Sequence, residues 1–168
     1  PYTLGFGYIP TNTDQLPLHL EVELRPSNIM VLSGSDWYVD RNYNYAWDGT
    51  GTGNDAILSF GMAGDRPVVS DWSGDGIDKI GGFRDNGKWY VDYNGNTLWD
   101  SEDALHIYSF GKSGIGDQPV IGDWSGDGKN KIGIFRNDGK WYVDFNGNNR
   151  WDSVDALHIY SFGKSGGV

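Results

Sequence analysis

Asp and Asn side chains recur in a short motif, D-x-N-x-N-x-x-W-D, that the chain contains three times. The copies begin at Asp40, Asp92 and Asp144, so that successive copies are 52 residues apart. Each copy places oxygen-bearing side chains at positions 1, 3, 5 and 9 of a loop. A hard cation such as Ca²⁺ takes about six to eight oxygen ligands, which a loop of this kind supplies. The motif therefore predicts up to three Ca²⁺ sites, one in each copy.

The loop of an EF-hand also uses a backbone carbonyl at position 7, and by analogy we expect the same here. The predicted ligands are Asp40, Asn42, Asn44, Ala46 and Asp48 in the first copy; Asp92, Asn94, Asn96, Leu98 and Asp100 in the second; and Asp144, Asn146, Asn148, Arg150 and Asp152 in the third. Asp55, Asp103 and Asp155 follow the motifs and are further candidates to complete the shells.

Position 4 of the motif must turn sharply, which glycine does without steric cost. Gly95 and Gly147 stand there in the second and third copies, whereas Tyr43 stands there in the first. An alternative interpretation needs no ion, because Asn and Asp side chains also stabilise turns by hydrogen bonding to the neighbouring backbone. The sequence leaves both interpretations open.

The composition is typical of short strands joined by tight turns. The 168 residues include 26 Gly, 8 Trp, 10 Tyr and 7 Phe, and aromatic residues favour strands whereas glycine favours turns. The formal net charge of −10 argues against a nucleic-acid partner, because phosphate binding needs a basic surface. No apolar run reaches about 18 residues, so we expect no membrane insertion. The absence of Cys and of Asn-x-Ser/Thr sequons suits an extracellular or cell-surface protein of a microbe.

The whole chain follows the same period of 52 residues. Residues 67–116 and 119–168 are identical at 37 of 50 aligned positions. Self-similarity of this kind indicates stacked structural units. We divide the chain into an N-terminal segment, 1–14, a divergent repeat, 15–66, and two close repeats, 67–118 and 119–168.

Each repeat is predicted to form four short antiparallel strands. In the third repeat we expect them at 119–124, 131–136, 140–145 and 157–162. The two middle strands flank Asn137-Asp-Gly139, a turn that is typical of a β-hairpin. In the first repeat, the strictly alternating run at 18–24 takes the place of the first strand. Residues 103–106 are expected to make one helical turn and no more.

Four antiparallel strands in about 50 residues correspond to one blade of a β-propeller. Asp71-Trp-Ser-Gly-Asp75-Gly and Lys79-Ile-Gly-Gly-Phe83-Arg resemble the FG-GAP/VCBS repeat of integrin-type β-propellers. The D-x-N-x-N-x-x-W-D loops also resemble the calcium loops of dockerin-type repeats. These resemblances imply an all-β chain of three tandem blade-like repeats, in a family that is usually extracellular.

The Asp71–Lys79 and Asp123–Lys131 loops depart from that family. Where its calcium-binding members carry an acidic ligand at position 9, this chain has Lys79 and Lys131. An ammonium group repels a cation and can itself pair with Asp71 and Asp75. We therefore predict an internal salt bridge in place of the ion, and the first repeat lacks this loop.

The N-terminal segment supplies an additional strand. Phe6-Gly7 resembles Phe110-Gly111, so residues 2–7 correspond to the fourth strand of a preceding blade. Propellers usually close with about four to eight blades, and the end repeats of an open array expose an apolar face. We therefore expect other copies of the chain to supply the missing neighbours, through the odd strand and an open sheet edge. A fragment of a longer propeller and a compact three-repeat monomer are the alternatives.

Periodic tryptophans pack between blades, although aromatic faces also stack on sugars. The tryptophans that we assign to the core are Trp89, Trp141, Trp99 and Trp151. His106 and His158 recur in Ala-Leu-His-Ile-Tyr and are expected to be structural residues of a strand. Because every candidate group recurs, the sequence offers no unique catalytic constellation. It predicts a non-enzymatic, calcium-stabilised structural protein that self-assembles, with a carbohydrate-binding or adhesion module as the alternative.

Overall fold

The structure of the chain, a computed structural model, describes residues 28–164. The strands predicted at 2–7 and 18–24 lie outside the described residues. Residues 28–164 form three antiparallel sheets and almost no helix, which confirms the all-β prediction. None of the three sheets closes on itself in this part of the chain. The propeller arrangement of the repeats stays a prediction.

The three sheets follow one another along the chain, and each is built from strands that are neighbours in sequence. The first contains β1 (Met30–Ser33), β2 (Asp36–Val39) and β3 (Ala56–Ser59). The second contains β4 (Arg66–Ser70), β5 (Lys79–Arg84), β6 (Lys88–Val91) and β7 (Tyr108–Ser109). The third contains β8 (Gln118–Gly122), β9 (Lys131–Phe135), β10 (Lys140–Val143) and β11 (Ile159–Ser161). Every bound of the third sheet lies within two residues of its prediction.

Tight turns join the middle strands of the second and third sheets. Gly87 and Gly139 both have a φ of 79°, and each donates its N–H to a carbonyl, of Arg84 or Arg136, at 2.9 Å. A Cβ at Gly87 would lie 2.7 Å from the backbone of Gly111, so only glycine fits this turn. The hairpins predicted from the Asn- and Asp-Gly sequences are therefore confirmed.

Each sheet holds its last strand through a tryptophan of the middle strand. The indole N–H groups of Trp37, Trp89 and Trp141 donate to the carbonyls of Phe60, Phe110 and Phe162 at 3.0, 3.0 and 2.8 Å. Trp37 and Trp89 are 2% and 0% exposed. The cluster around Trp89 continues into Ile132 and Ile134 of β9, so the second and third sheets share one core.

The chain before the last strand of the second and third sheets makes the predicted helical turn. It forms α1 (Ser101–Leu105) in the second repeat and a 3₁₀ turn (Asp155–Leu157) in the third. Asp100 caps α1 in a reciprocal capping box with Asp103.

The prediction that the recurring histidines lie in strands is wrong. His106 is the C-terminal cap of α1, and His158 ends the 3₁₀ turn. In both turns the backbone N–H of the histidine donates to the carbonyl of an aspartate three residues earlier, Asp103 or Asp155, which closes the last turn there. The ring of His106 stacks on Tyr93 with centroids 3.4 Å apart, and His158 stacks on Phe145 at the same distance.

Candidate functional site

The three D-x-N-x-N-x-x-W-D loops share one hydrogen-bonded form, which the second copy illustrates. Asp92 at position 1 is 1% exposed, and its carboxylate accepts the N–H groups of Gly95 at 2.8 Å and Thr97 at 2.9 Å. The amide oxygens of Asn94 and Asn96 each accept the N–H two residues further on, at 3.0 and 2.7 Å. These bonds fold the backbone around the buried carboxylate.

The side-chain amides at positions 3 and 5 converge on the carboxylate at position 9. Asn94 and Asn96 donate to the same oxygen of Asp100, at 3.0 and 2.7 Å. These two hydrogen bonds are the main reason why the pKa of Asp100 is lower than its ordinary value. The same bonds join Asn42 and Asn44 to Asp48, and Asn146 and Asn148 to Asp152.

Position 4 of every loop has a left-handed backbone. Its φ is 76° at Gly95, 74° at Gly147 and 59° at Tyr43. The sharp turn predicted at this position is confirmed, and the first copy makes it with a tyrosine. A bulky residue at positive φ costs free energy, so the surrounding hydrogen bonds must hold it there.

A further aspartate, outside the motif, supports each loop. Asp103 is 0% exposed and accepts the N–H groups of positions 2 and 9, at 2.8 and 3.1 Å. Asp155 repeats this arrangement at 2.9 Å for both bonds. Asp55 accepts the N–H of position 9 in the first copy at 2.7 Å. All three candidates thus contact their loops, each through backbone N–H groups.

Carboxylate, amide and carbonyl oxygens are the ligand types that Ca²⁺ prefers, so the donor set fits this cation in chemistry. In the geometry above, the side-chain oxygens at positions 3 and 5 accept backbone N–H groups instead, as in the ion-free alternative. For a cation to bind, the side-chain amides of these Asn residues must first rotate so that the oxygen takes the place of the nitrogen that now faces the carboxylate. The amide oxygen and nitrogen are nearly equal in size, so this rotation fits the same space. Among residues 28–164, no three His, Asp or Glu side chains approach one another closely enough to hold a metal.

The first loop differs from the others in two buried oxygens. Among residues 28–164, no group donates a hydrogen bond to Oδ1 of Asp40 or to Oδ1 of Asp55, although these residues are only 9% and 3% exposed. In the second copy, both oxygens of Asp92 and of Asp103 accept backbone N–H groups. A buried carboxylate oxygen without a donor is costly. Binding of a cation or a hydrogen-bond donor should therefore stabilise the first loop more than the other two.

Burial also acts on the carboxylates at position 1 of the other two loops. It raises the pKa of Asp92 and of Asp144, although the backbone N–H donors act in the opposite direction. The neighbouring carboxylates of Asp103 and Asp155 add to the rise. A cation bound beside these groups would reverse the effect, because it favours the ionised form.

The Asp71–Lys79 loop contains the salt bridge that the sequence predicts. The side chain of Lys79 is 5% exposed. Its Nζ lies 2.7 Å from Asp75, 2.8 Å from the hydroxyl at position 3 and 3.1 Å from the carbonyl at position 7. This ammonium is the main cause that lowers the pKa of Asp75 to about 2. Lys131 lies 2.6 Å from Asp127 in the matching loop of the third repeat.

The stem of the same lysine contacts the D-x-N-x-N-x-x-W-D loop. A Cβ at Gly95 would lie 3.1 Å from Cε of Lys79 and 3.3 Å from its Cδ. A Cβ at Gly147 would lie 3.2 Å from Cε of Lys131. A side chain at position 4 of these two loops would therefore crowd the lysine stem.

Two buried ion pairs were missed in the sequence. Arg84 donates to both oxygens of Asp65, at 2.7 and 2.8 Å, and its guanidinium carbon lies 3.9 Å from the ring centroid of Tyr90. Arg136 and Asp117 form the same pair at 2.7 and 2.9 Å. A signal was present, because both residues recur after 52 positions.

The assignment of Trp99 and Trp151 to the core is wrong. They are 47% and 43% exposed, although both contact the preceding repeat. Trp99 contacts Phe60 of the preceding repeat and Tyr90 of its own, at centroid distances of 6.0 and 5.7 Å. Trp151 contacts Phe110 and Tyr142 in the same way, at 5.7 and 5.6 Å. Of the other two assignments, Trp89 is buried and Trp141 is half-buried.

The phenylalanine at each junction is buried only where a further repeat follows. Phe60 and Phe110 are 3% and 1% exposed. Phe162 holds the equivalent place in the third repeat, since its carbonyl also accepts an indole N–H, yet it is 82% exposed.

Within residues 28–164, the loop of the first repeat presents the complementary half of a junction. Trp47 contacts Tyr38 of its own repeat at 5.3 Å, and no phenylalanine among the described residues contacts it. A cavity of about 300 Å³ lies beside this pair. We call it the Trp47 slot, and its walls are Ile29, Val31, Tyr38, Asp40, Tyr45, Ala46, Trp47 and Asp55.

Comparison with known proteins gives no match, whether with family models, curated proteins or solved structures. The resemblances to FG-GAP/VCBS repeats and to dockerin-type loops therefore stay predictions. No helix within residues 28–164 is long and apolar enough to cross a membrane.

Proposed function

We propose that this chain is a non-enzymatic β-repeat structural protein that associates with other copies of itself outside the cell, as a subunit of a surface fibre or layer. The contrast between the junctions and the end of the array carries the proposal. Phe110 is 1% exposed beside the third repeat, whereas Phe162, the equivalent residue of the third repeat, is 82% exposed. An aromatic residue exposed at the end of a repeat array gains stability from a further repeat.

The exposure of Phe162 is part of a larger apolar face. Tyr108 of the second repeat is 9% exposed, while its equivalent in the third repeat, Tyr160, is 42% exposed. Trp89 is fully buried, while Trp141 is half-buried. Contiguous apolar surface of this kind marks an interaction site in a folded protein.

A structural function also agrees with the repetition of the polar groups. His106 and His158 both stack on an aromatic ring and end a helical turn. The carboxylates of the second and third loops accept backbone N–H groups in matching patterns. Repeated pairs of this kind serve the fold in each repeat, whereas catalysis needs one converging set of groups.

Calcium belongs to the proposal as a stabilising ligand of the three loops. The support is the chemistry of the donors and, in the first loop, the unpaired oxygens of Asp40 and Asp55. The chain carries a net charge of −10, so divalent cations would also reduce its self-repulsion.

The Trp47 slot favours carbohydrate binding as a second candidate function. Aromatic rings of Trp47, Tyr38 and Tyr45 line it beside the unpaired oxygens of Asp40 and Asp55. Sugars offer apolar faces to aromatic rings and hydroxyl donors to carboxylates. A glycan array with and without calcium tests this function, and a specific ligand there would favour it.

Electron microscopy of the purified chain tests the proposed assembly. Polymers or closed rings built from many copies are expected, and isolated particles of single-chain size would contradict the proposal. A melting curve in millimolar Ca²⁺ and in chelator tests the calcium part, because a ligand of the native state raises the midpoint. Asp40→Asn should reduce the rise, while the exposed Asp78→Asn serves as the control.

A further inference from the structure

We propose that the C-terminal edge of one copy, at Phe162, docks into the Trp47 slot of the next copy and makes a head-to-tail contact between identical chains. The inference rests on the proposed self-association and names the residues that carry it. The C-terminal edge is defined as residues 159–164.

The chain already makes this contact twice within itself. Phe60 meets Trp99 at a centroid distance of 6.0 Å, and Phe110 meets Trp151 at 5.7 Å. In both junctions, the phenylalanine directly follows the last strand of one repeat, and the tryptophan lies in the loop of the next. Phe162 is the equivalent residue of the third repeat, and it is 82% exposed.

The Trp47 slot matches the receiving side of those junctions. The cavity between the second and third repeats is lined by Phe110 on one side and by Ile134, Tyr142 and Trp151 on the other. Val31 of the slot pairs with Tyr38 across the sheet, as Ile134 pairs with Tyr142. Trp47 contacts the ring of Tyr38, as Trp151 contacts the ring of Tyr142. A Phe162 ring from another copy therefore finds the same type of seat.

A lysine follows the phenylalanine at the internal junction and at the C-terminal edge alike. Lys112, two residues after Phe110, lines the cavity of the internal junction. Lys164 stands two residues after Phe162 in the same pattern.

A second copy explains more than the competing occupant does. Phe6, outside the described residues, precedes Trp47 by 41 residues, as Phe110 precedes Trp151. Its segment is the alternative occupant of the slot from within the chain. Filling the slot with Phe6 would still leave Phe162 without a tryptophan, whereas a second copy satisfies both faces at once.

A complementation experiment with full-length chains tests this contact. Phe162→Glu removes the edge and leaves the slot, while Val31→Glu blocks the slot and leaves the edge. Both positions are exposed, at 82% and 57%, so these variants should fold. Each variant alone should lose at least about tenfold in association affinity, as expected for a central aromatic anchor. Mixed together they should form a one-to-one dimer and nothing larger, because a head-to-tail contact leaves one blocked face at each end.

Control variants separate the possible occupants. Leu157→Ala removes a side chain that is also 82% exposed but lies outside the contact, and it should associate like the unaltered chain. Sedimentation velocity measures the association of the unaltered chain, of each variant and of the mixture. If the unaltered chain associates and the mixture stays monomeric, this contact is overturned and the proposed self-association survives. If Phe6→Ala weakens association and Phe162→Glu does not, the occupant is the N-terminal segment and the contact is overturned. If the unaltered chain never associates, both proposals fail.

Discussion

The ammonium of Lys79 lies 2.7 Å from the carboxylate of Asp75, in a loop that presents oxygens from positions 1, 3, 5 and 7. The lysine stands at position 9, where the resemblance to calcium-binding FG-GAP/VCBS loops predicts an acidic ligand. Its ammonium is a fixed internal cation that oxygens of the loop already surround.

Removing that ammonium should destabilise the fold. Lys79→Met keeps the apolar stem against Gly95 and deletes three hydrogen bonds. We expect the free energy of unfolding to fall by about 1 to 2 kcal/mol, measured by urea titration. Lys88→Met, at an exposed strand position, is the control and should change little. Equal stability of the two variants would show that the buried ammonium contributes nothing.

Lys79→Asp should convert the same loop into a calcium site. The change restores an acidic side chain at position 9 beside Asp71 and Asp75, and it removes the internal cation. We expect millimolar Ca²⁺ to raise the melting midpoint of this variant more than that of the unaltered chain. Lys79→Met supplies the comparison, because it lacks both the ammonium and the new carboxylate. A calcium response no larger than that of Lys79→Met would contradict the prediction.

The acid side of the stability profile should depend on the same lysines. Asp75 and Asp127 have folded pKa values of about 2, below the ordinary value of 3.8. A lowered pKa stabilises the fold above the unfolded value, and this contribution is lost as the pH falls from about 4 to 2. The double variant Lys79→Met/Lys131→Met should therefore be less stable at neutral pH and lose less between pH 4 and 2. Parallel profiles for the two proteins would contradict this assignment.

A side chain at Gly95 should destabilise the fold in two ways, through backbone strain and through its contact with Lys79, and a matched glycine separates the two. Gly95→Ala and Gly74→Ala both place alanine at a φ of 76°, at a cost of about 1 to 2 kcal/mol. Only Gly95 also has a neighbour, Cε of Lys79, at 3.1 Å from a Cβ, while nothing lies within 4 Å at Gly74. Gly95→Ala should therefore lower the melting midpoint further than Gly74→Ala does. The same loss in both variants would show that the lysine stem yields freely.

Phe110 and Phe162 should differ sharply in what they contribute to one chain. Phe110→Ala empties a buried junction and should cost about 3 to 5 kcal/mol of unfolding free energy. Phe162→Ala removes an 82% exposed ring and should cost far less in dilute protein. Denaturant titration at low protein concentration measures both. Similar losses would mean that Phe162 is covered within its own chain.

Local signals in the sequence were sufficient for the strands and turns. The Asn-Asp-Gly segment before β10 specifies its hairpin because the turn needs a positive φ at Gly139. The Lys79 salt bridge was also predictable, since all its partners lie within eight residues of it. Interactions of this range depend little on how the sheets pack.

Contacts between distant segments were not predictable in the same way. Arg84 and Asp65 are 19 residues apart and meet only because β4 pairs with β5. The exposure of Trp99 depends on how its loop meets Phe60, which is 39 residues earlier in the chain. Rotation of the side-chain amide decides whether the oxygen or the nitrogen of Asn94 and Asn96 faces Asp100. Residue type and spacing do not predict this rotation.

The molar mass of the full chain in solution tests the account most directly. Sedimentation equilibrium over a range of micromolar concentrations, with millimolar Ca²⁺ present, should give a mass that exceeds 18.6 kDa and rises with concentration. A constant mass of 18.6 kDa at every concentration would contradict the assembly through Phe162 and Trp47.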